Sequence, residues 1–579
     1  MKKNKSAAKF KNNMKKFFTW MLVTMMTCGF GLMQGSCSSD DNETNGKSEE
    51  NVPDASGQVV FMYYAVGGGN LDYSTERALA NMGVEQQKVK GVRSFVQYKF
   101  SKTRDPRITN SYEFSGENGC VYRFEIDKNS LNPKFDDYLY EVKAFTGKGF
   151  KKFAGSDFKM YDPDNLAEFI NWCMEQAPNA KAYVLAFGDH GGAYDVSNDY
   201  NKGMKTRGVM YDDNLEGEPC MSPTEIGIAL DKLTRKPDMI FFDCCLMNTL
   251  EVLGELQGKT NFVFASGHVV YQSPLDELVH SLAGIAKADN VSEGIKKYMS
   301  EYVTTITKKM ENKLHDNEGE RIKRSINFVL TDMSKLPALF ASLKGVTDFL
   351  DKTDISGMEI GLFDDAASGC YHYVDNRPFF DMVDYLNQLK KIVFKDNTEF
   401  ANLVGQVETA AKACQIAHDE FSYDSKGTNK KYDLSYSVTL GFSSSRFIFD
   451  GDTKKMAPSE PQGVIMSVIR AGKGTSDSPY YNDYLLEKGD NFLASWIASE
   501  KQEENIININ RYYKKGSGVH QSWDNTYRTL QFDKAVGWSR WMKKNPGIHY
   551  DNPPYDEEYS YVFEDPDFDD FIEDTDSID

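Results

Sequence analysis

The sequence predicts an α/β fold, a mostly parallel sheet flanked by helices, with extra α+β elements towards the C-terminus. Three observations carry this. Strand-like apolar runs alternate with segments of helical periodicity between residues 59 and 265. Those runs are apolar throughout rather than at every second residue, the pattern of strands covered on both faces. Hydrophobic residues make up 40% and charged residues 26% of the 579, which is globular usage and excludes a disordered, collagenous or multi-span membrane chain.

Residues 59–65 (VVFMYYA) read as the first strand, closed by a Gly67, Gly68, Gly69 turn, and residues 93–99 as the second. Asp162 followed by Pro163 supplies an N-cap and first-turn signal, and Leu166, Phe169, Ile170, Cys173 and Met174 recur at helical spacing. Residues 182–187 (AYVLAF) read as a strand ending in Gly188, Asp189, His190, Gly191, Gly192. A helix over 223–233, a strand over 239–242, a helix over 246–256 and a strand over 262–265 follow.

The first 36 residues hold seven lysines and no acid before an apolar run over 17–33, which reads as a secretory signal. Cys37 follows Gly35 and Ser36 and opens the polar run Ser38, Ser39, Asp40, Asp41, so it reads as a lipoprotein acceptor; Gln34 stands where lipoboxes usually have Leu, and a plain cleaved signal is the alternative. With Cys37 lipidated, the chain meets the membrane through its anchor alone, at the outer membrane or cell surface. Net charge is −19, and no later segment supplies a basic block, which argues against nucleic acid or anionic lipid as a partner. The last 29 residues carry 13 acids and no Lys or Arg, a solvated tail or else a docking strip. Seven cysteines remain beyond Cys28 and Cys37, without CxxC pairs, so the question is which thiol is chemically special.

In a parallel sheet, reactive groups gather at the carboxyl ends of neighbouring strands. One strand end here carries His190, and the other Asp243, Cys244 and Cys245, expected to open directly onto a helix. A free thiol is only about 3% thiolate at pH 7, and a helix N-terminus adds roughly 0.3 to 1 kcal/mol, too little by itself. A neighbouring imidazole must complete the activation and deliver a proton to the leaving amine. On the residues alone two readings stand: a Cys/His hydrolase site, or a buried apolar thiol and a turn histidine.

The stretches VVFMYYAVGGGNLD (59–72), DPDNLAEFINWC (162–173), VLAFGDHGG (184–192) and FFDCCLMNTLEVLGEL (241–256), with weaker echoes at 379–386 and 434–442, resemble the clostripain family of cysteine peptidases, whose fold is shared with caspases, gingipains and legumains. The resemblance implies a caspase-like sheet, with His190 as general acid/base and Cys245 as nucleophile. It further implies an oxyanion hole from the amides of Gly191 and Cys245, and a specificity pocket whose acid is Asp243. This chain departs from the family in having Cys244 for Ala, Asn248 for Gly, and Gly267 and His268 where a second acid is common. A cationic His268 there would repel Arg at low pH. Relatives that mature by cutting the loop after the histidine direct attention to Lys205 and Arg207 as self-cleavage sites.

No HExxH, P-loop or dinucleotide fingerprint is present. Asp195, Ser197, Asp199 and Asn201 offer oxygen ligands, but Tyr200 and Thr206 break the EF-hand pattern; the chemistry requires no cofactor, and calcium use by some relatives leaves calcium open. The expected organisation is a signal segment over 1–36, a polar linker over 37–58 and a caspase-like catalytic core over 59–300. The rest of the peptidase region follows over 301–500, then an unassigned C-terminal region with the acidic tail over 501–579. Two functions remain: an endopeptidase acting on protein or peptide substrates after Arg or Lys, or an inactive peptidase-fold lipoprotein that binds or adheres. Oligomeric state is not legible.

Overall fold

In the computed structural model the described residues are 55–68, 71–102, 116–126, 148–193, 208–215, 219–268, 270, 273–313, 326–355, 358, 362–363, 366, 379–421, 441–443, 449–450, 455–456, 530–538 and 540–541. All fall within one compact unit, Val52–Asp579. The signal segment, Cys37, Lys205, Arg207, the stretch from Asp195 to Asn201, Cys370, Trp496, Trp523 and the acidic tail lie outside the described residues.

In chain order the elements are β1 (Val59–Val66), α1 (Asp72–Gln86), β2 (Val92–Lys99), β3 (Val121–Ile126), β4 (Lys148–Ala154), α2 (Pro163–Gln176), β5 (Ala182–Gly188), α3 (Pro223–Asp231), β6 (Met239–Asp243), α4 (Leu250–Leu256), β7 (Phe262–Ala265), α5 (Leu275–Lys287), α6 (Val291–Lys313), β8 (Ile326–Asp332), α7 (Leu336–Lys352), β9 (Phe379–Asp381), α8 (Met382–Gln388), α9 (Thr398–Cys414), β10 (Gln415–Phe421), β11 (Gly441–Ser443) and α10 (Gln531–Val536). Among the described residues one sheet has nine strands in the order β10-β8-β7-β6-β5-β1-β2-β3-β4. Its five central strands, β7, β6, β5, β1 and β2, run parallel. Antiparallel strands close both edges.

Alternate residues of the central strands feed two cores. Val60, Met62, Tyr64, Leu185, Phe187, Ile240 and Phe242 pack with the side chains of α2, α3, α4, α7 and α9 on one face. Val59, Phe61, Tyr63, Val184, Ala186, Met239 and Phe241 pack with α5 and α6 on the other. Burial on both faces explains why these strands are apolar at every position.

Local signals set the helix starts. Asp162 caps α2 by accepting from the amide of Asp164, with Pro163 in the first turn. Ser222 and Glu225 form a reciprocal capping box at α3. The helix expected over 246–256 begins four residues late, at Leu250, under a Thr249 cap. The backbone before it is committed elsewhere: the amides of Leu246 and Asn248 donate to the carbonyls of His268 and Ser266, at 3.0 and 2.9 Å. The C-terminal segment belongs to the sheet's own core. Phe532, Trp538 and Trp541 are fully buried in the first cluster, and the amide of Gln531 donates to Glu255 of α4 at 2.8 Å.

Candidate active site

Strands β5 and β6 pair side by side, with Gly188 opposite Asp243, so the residues after both strands emerge at one point. The amide of Asp189 donates to the carbonyl of Asp243 at 3.4 Å. Gly191 lies directly on the backbone of Cys245: a Cβ built there would fall 2.0 Å from the Cys245 oxygen and 2.6 Å from its nitrogen. Contact this close is open only to glycine. On the other flank a Cβ on Gly68, after β1, would lie 2.9 Å from Oδ1 of Asp189 and 3.1 Å from Cδ2 of His190. Three strand ends thus converge on His190, Gly191 and Cys245.

The two adjacent cysteines have opposite environments. Cys244 is buried, its Sγ 3.4 Å from the Phe187 carbonyl. Burial pushes its thiol well above the usual range, with Asp189, Asp243 and Cys245 adding to the rise. Cys245 is half-buried, whereas the other cysteines among the described residues are buried. The amide of Val270 donates to its Sγ at 3.3 Å. Leu246, immediately after, holds φ +61°, a left-handed turn costly for a residue with a side chain. That turn, rather than a helix start, sets the direction of the thiol. With α4 beginning at Leu250 and only seven residues long, the expected helix-dipole contribution does not act at Cys245, since the effect fades beyond the first turn.

Asp243 is buried beside the site. Its Oδ1 accepts from the amide of Ser273 at 2.9 Å and its Oδ2 from the hydroxyl of Tyr63 at 3.3 Å. His268 is buried as well, and desolvation pushes its imidazole down to about 3. It is therefore neutral over the ordinary working range and presents no cation to a basic substrate, contrary to the repulsion expected at low pH. The loop carrying it is fixed by Asn327 of β8, whose Oδ1 accepts from the Ser266 hydroxyl at 3.0 Å and the Gly267 amide at 2.9 Å.

Sequence reasoning did not single out Val270, Ser273 or Tyr63; each reaches the site through a fold contact that leaves no local sequence mark. Among the described residues no group of three or more His, Cys, Asp or Glu could hold a metal ion. No helix among them is long and apolar enough to cross a membrane.

Comparison with known proteins bears on this arrangement. Clostripain of Hathewaya histolytica is 26% identical over 224 residues, 38% of this chain and 39% of that protein, so the match spans about two fifths of the relative. Among solved structures, a secreted C11 cysteine protease from Bacteroides thetaiotaomicron aligns at 18% identity and a TM-score of 0.43, covering 67% of this chain and 93% of that one. An inactive zymogen C11 protease from Parabacteroides distasonis aligns at 14% and 0.43, over 67% and 92%. The sequence model of the clostripain family matches residues 138–544, well over half of the chain. The chain belongs to the clostripain family.

Proposed function

We propose that the protein is a cysteine endopeptidase working through Cys245 and His190. The supporting observation is the seating of Gly191, the residue after His190, on the backbone of Cys245, whose thiol is half-buried. Family membership agrees with it.

In the proposed reaction the Cys245 thiolate attacks the scissile carbonyl carbon. A C–S bond forms and the carbonyl oxygen becomes an oxyanion, held by the amides of Gly191 and Cys245. Collapse breaks the C–N bond, and His190 delivers the thiol's proton to the departing amine. Water, deprotonated by His190, then attacks the thioester carbon and regenerates the thiol. The proposed steps use these protein groups and water.

Asp243 is the proposed acid of the pocket for the residue before the cut bond. A carboxylate about 4 Å from a cation gains roughly 1 kcal/mol in water and about 4 kcal/mol at an effective dielectric near 20, which favours Arg or Lys. Cys37 is the proposed lipidation site, and Lys205 and Arg207 the proposed self-cleavage sites. The expected division into a signal segment, linker, catalytic core and C-terminal region is retained as part of this proposal.

Turnover of an unfolded protein mixture tests the reading. Cys245→Ala and His190→Ala should abolish cleavage, while Cys244→Ala keeps it within about threefold. Full activity in Cys245→Ala would refute the peptidase assignment and leave the binding-protein alternative.

A further inference from the structure

We propose that Asp189 is a positioning residue for His190: its buried side chain ties the segment Val209–Asp212 to the strand end that carries the imidazole. This rests on the Cys/His reading and adds a part to it.

Asp189 follows β5 and precedes His190. Its carboxyl group is buried, and Oδ2 accepts the amide of Tyr211, 22 residues along the chain. Oδ1 is buried with no hydrogen-bond partner. Oδ1 and the edge of the His190 ring approach the same point beside Gly68, at 2.9 and 3.1 Å. The carboxyl is therefore wedged between the segment on one side and the glycine that backs the imidazole on the other.

The segment is itself fixed independently of Asp189. Asp212 pairs with Lys99, at the end of β2, at 2.6 Å with both side chains fully buried. Lys99 also donates to the carbonyls of Ser156 and Phe158, at 2.8 and 2.7 Å. Val209 and Met221 exchange backbone hydrogen bonds at 2.9 and 2.7 Å, and the Gly192 amide donates to Gly208 at 2.9 Å. Met210 at φ +63° accepts backbone strain that aims the Tyr211 amide at Asp189. A firm anchor on one side and a reactive side chain on the other make Asp189 the link between them.

The chemistry of the link follows from its surroundings. Burial holds the carboxyl well above the usual carboxylate range. The amides of Tyr211 and His190 pull it down, and Asp213 and Asp212 push it further up. The positioning role asks of the side chain only a buried acceptor oxygen facing the Tyr211 amide. An amide in the same place serves as well, because its oxygen still accepts from Tyr211.

The test compares Asp189→Asn with Asp189→Leu, which keeps the branching at Cγ and removes the acceptor, at the cost of a larger side chain. Asn should keep kcat within about threefold of the parent; Leu should lower kcat at least about tenfold with KM within about threefold. Hydrogen exchange at the Tyr211 amide, which needs no turnover, should speed at least about tenfold in Leu and stay unchanged in Asn. Asp189→Ala gives a second acceptor-free variant should Leu not fold, with the same expectation. The proposal is overturned if Asn falls as far as Leu, if Leu retains parental kcat, or if exchange at Tyr211 is equal in all forms. Loss of the peptidase reading is seen separately, as turnover that survives Cys245→Ala; the exchange measurement then still decides whether Asp189 holds the segment.

Discussion

Gly191→Ala probes the seating of the two strand ends. The added carbon would lie 2.0 Å from the Cys245 oxygen and 2.6 Å from its nitrogen, where 3.4 Å is the near limit of ordinary contact. Both atoms are backbone and cannot rotate aside, so the loops must part by about 1.4 Å. Such a shift carries the Gly191 amide away from the proposed position of the oxyanion. A misplacement of about 1 Å costs roughly 10²-fold, and the loss of one oxyanion donor about 10² to 10³ in kcat, or about 2.7 to 4 kcal/mol. Overpacking also destabilises the fold by about 1 to 3 kcal/mol, so kinetics are measured well below the unfolding midpoint. The assay follows kcat and KM on a short peptide amide beside a thermal melt. The expected result is a fall of at least about 10² in kcat with a folded protein. A folded variant within about threefold of the parent would refute the placement of Gly191 at the reacting centre.

Asp243→Asn should lower cleavage after Arg by about tenfold to several hundredfold and leave cleavage after small residues little changed; equal cleavage after Arg and Ala in the parent would refute a charged pocket. His268, neutral in the fold down to about 3, is protonated in the unfolded chain below its ordinary value of 6.5. The unfolded state then binds the extra proton, so this residue's share of stability is present above pH 6.5 and is lost as pH falls towards 3. His268→Gln should flatten the acid side of the melting-temperature profile, and an unchanged slope would contradict the buried neutral imidazole. Long incubation should cut the parent after Lys205 or Arg207 and leave Cys245→Ala whole, the fragments staying together through the sheet, where β5 pairs with β6; identical gels would refute self-cleavage.

The central strands were legible because burial on both faces writes itself as unbroken apolar runs at 59–66, 182–187 and 239–242. Strands β3 and β4 were not, because β3 carries Arg123 and Glu125 among its apolar residues and β4 reads KGFKKFA, sequences suited to a sheet edge but equally to a loop. The pattern of Leu246, Leu250 and Leu253 invites a helix from 246, yet loop 266–268 takes the amides of Leu246 and Asn248 first. That competition is tertiary and has no sequence signature. For the same reason the sequence could name Cys245 only through resemblance, since the left-handed turn at Leu246 decides which thiol faces outward. Trp538 and Trp541 fall in the C-terminal region left unassigned by sequence, because the core they fill is built by residues more than a hundred positions earlier.

The identity of the reacting sulfur separates the proposed site from its alternatives. Cys244 is buried with its thiol pushed up, while Cys245 is half-exposed and accepts the Val270 amide. The decisive measurement is mass-spectrometric mapping of the adduct formed by an irreversible peptidyl electrophile with Arg next to the reactive group, in the parent and in His190→Ala. The expected result is a single adduct on Cys245, formed far more slowly without His190, with Cys244 unmodified. An adduct on Cys244, equal labelling of both thiols, or undiminished labelling in His190→Ala would contradict the site.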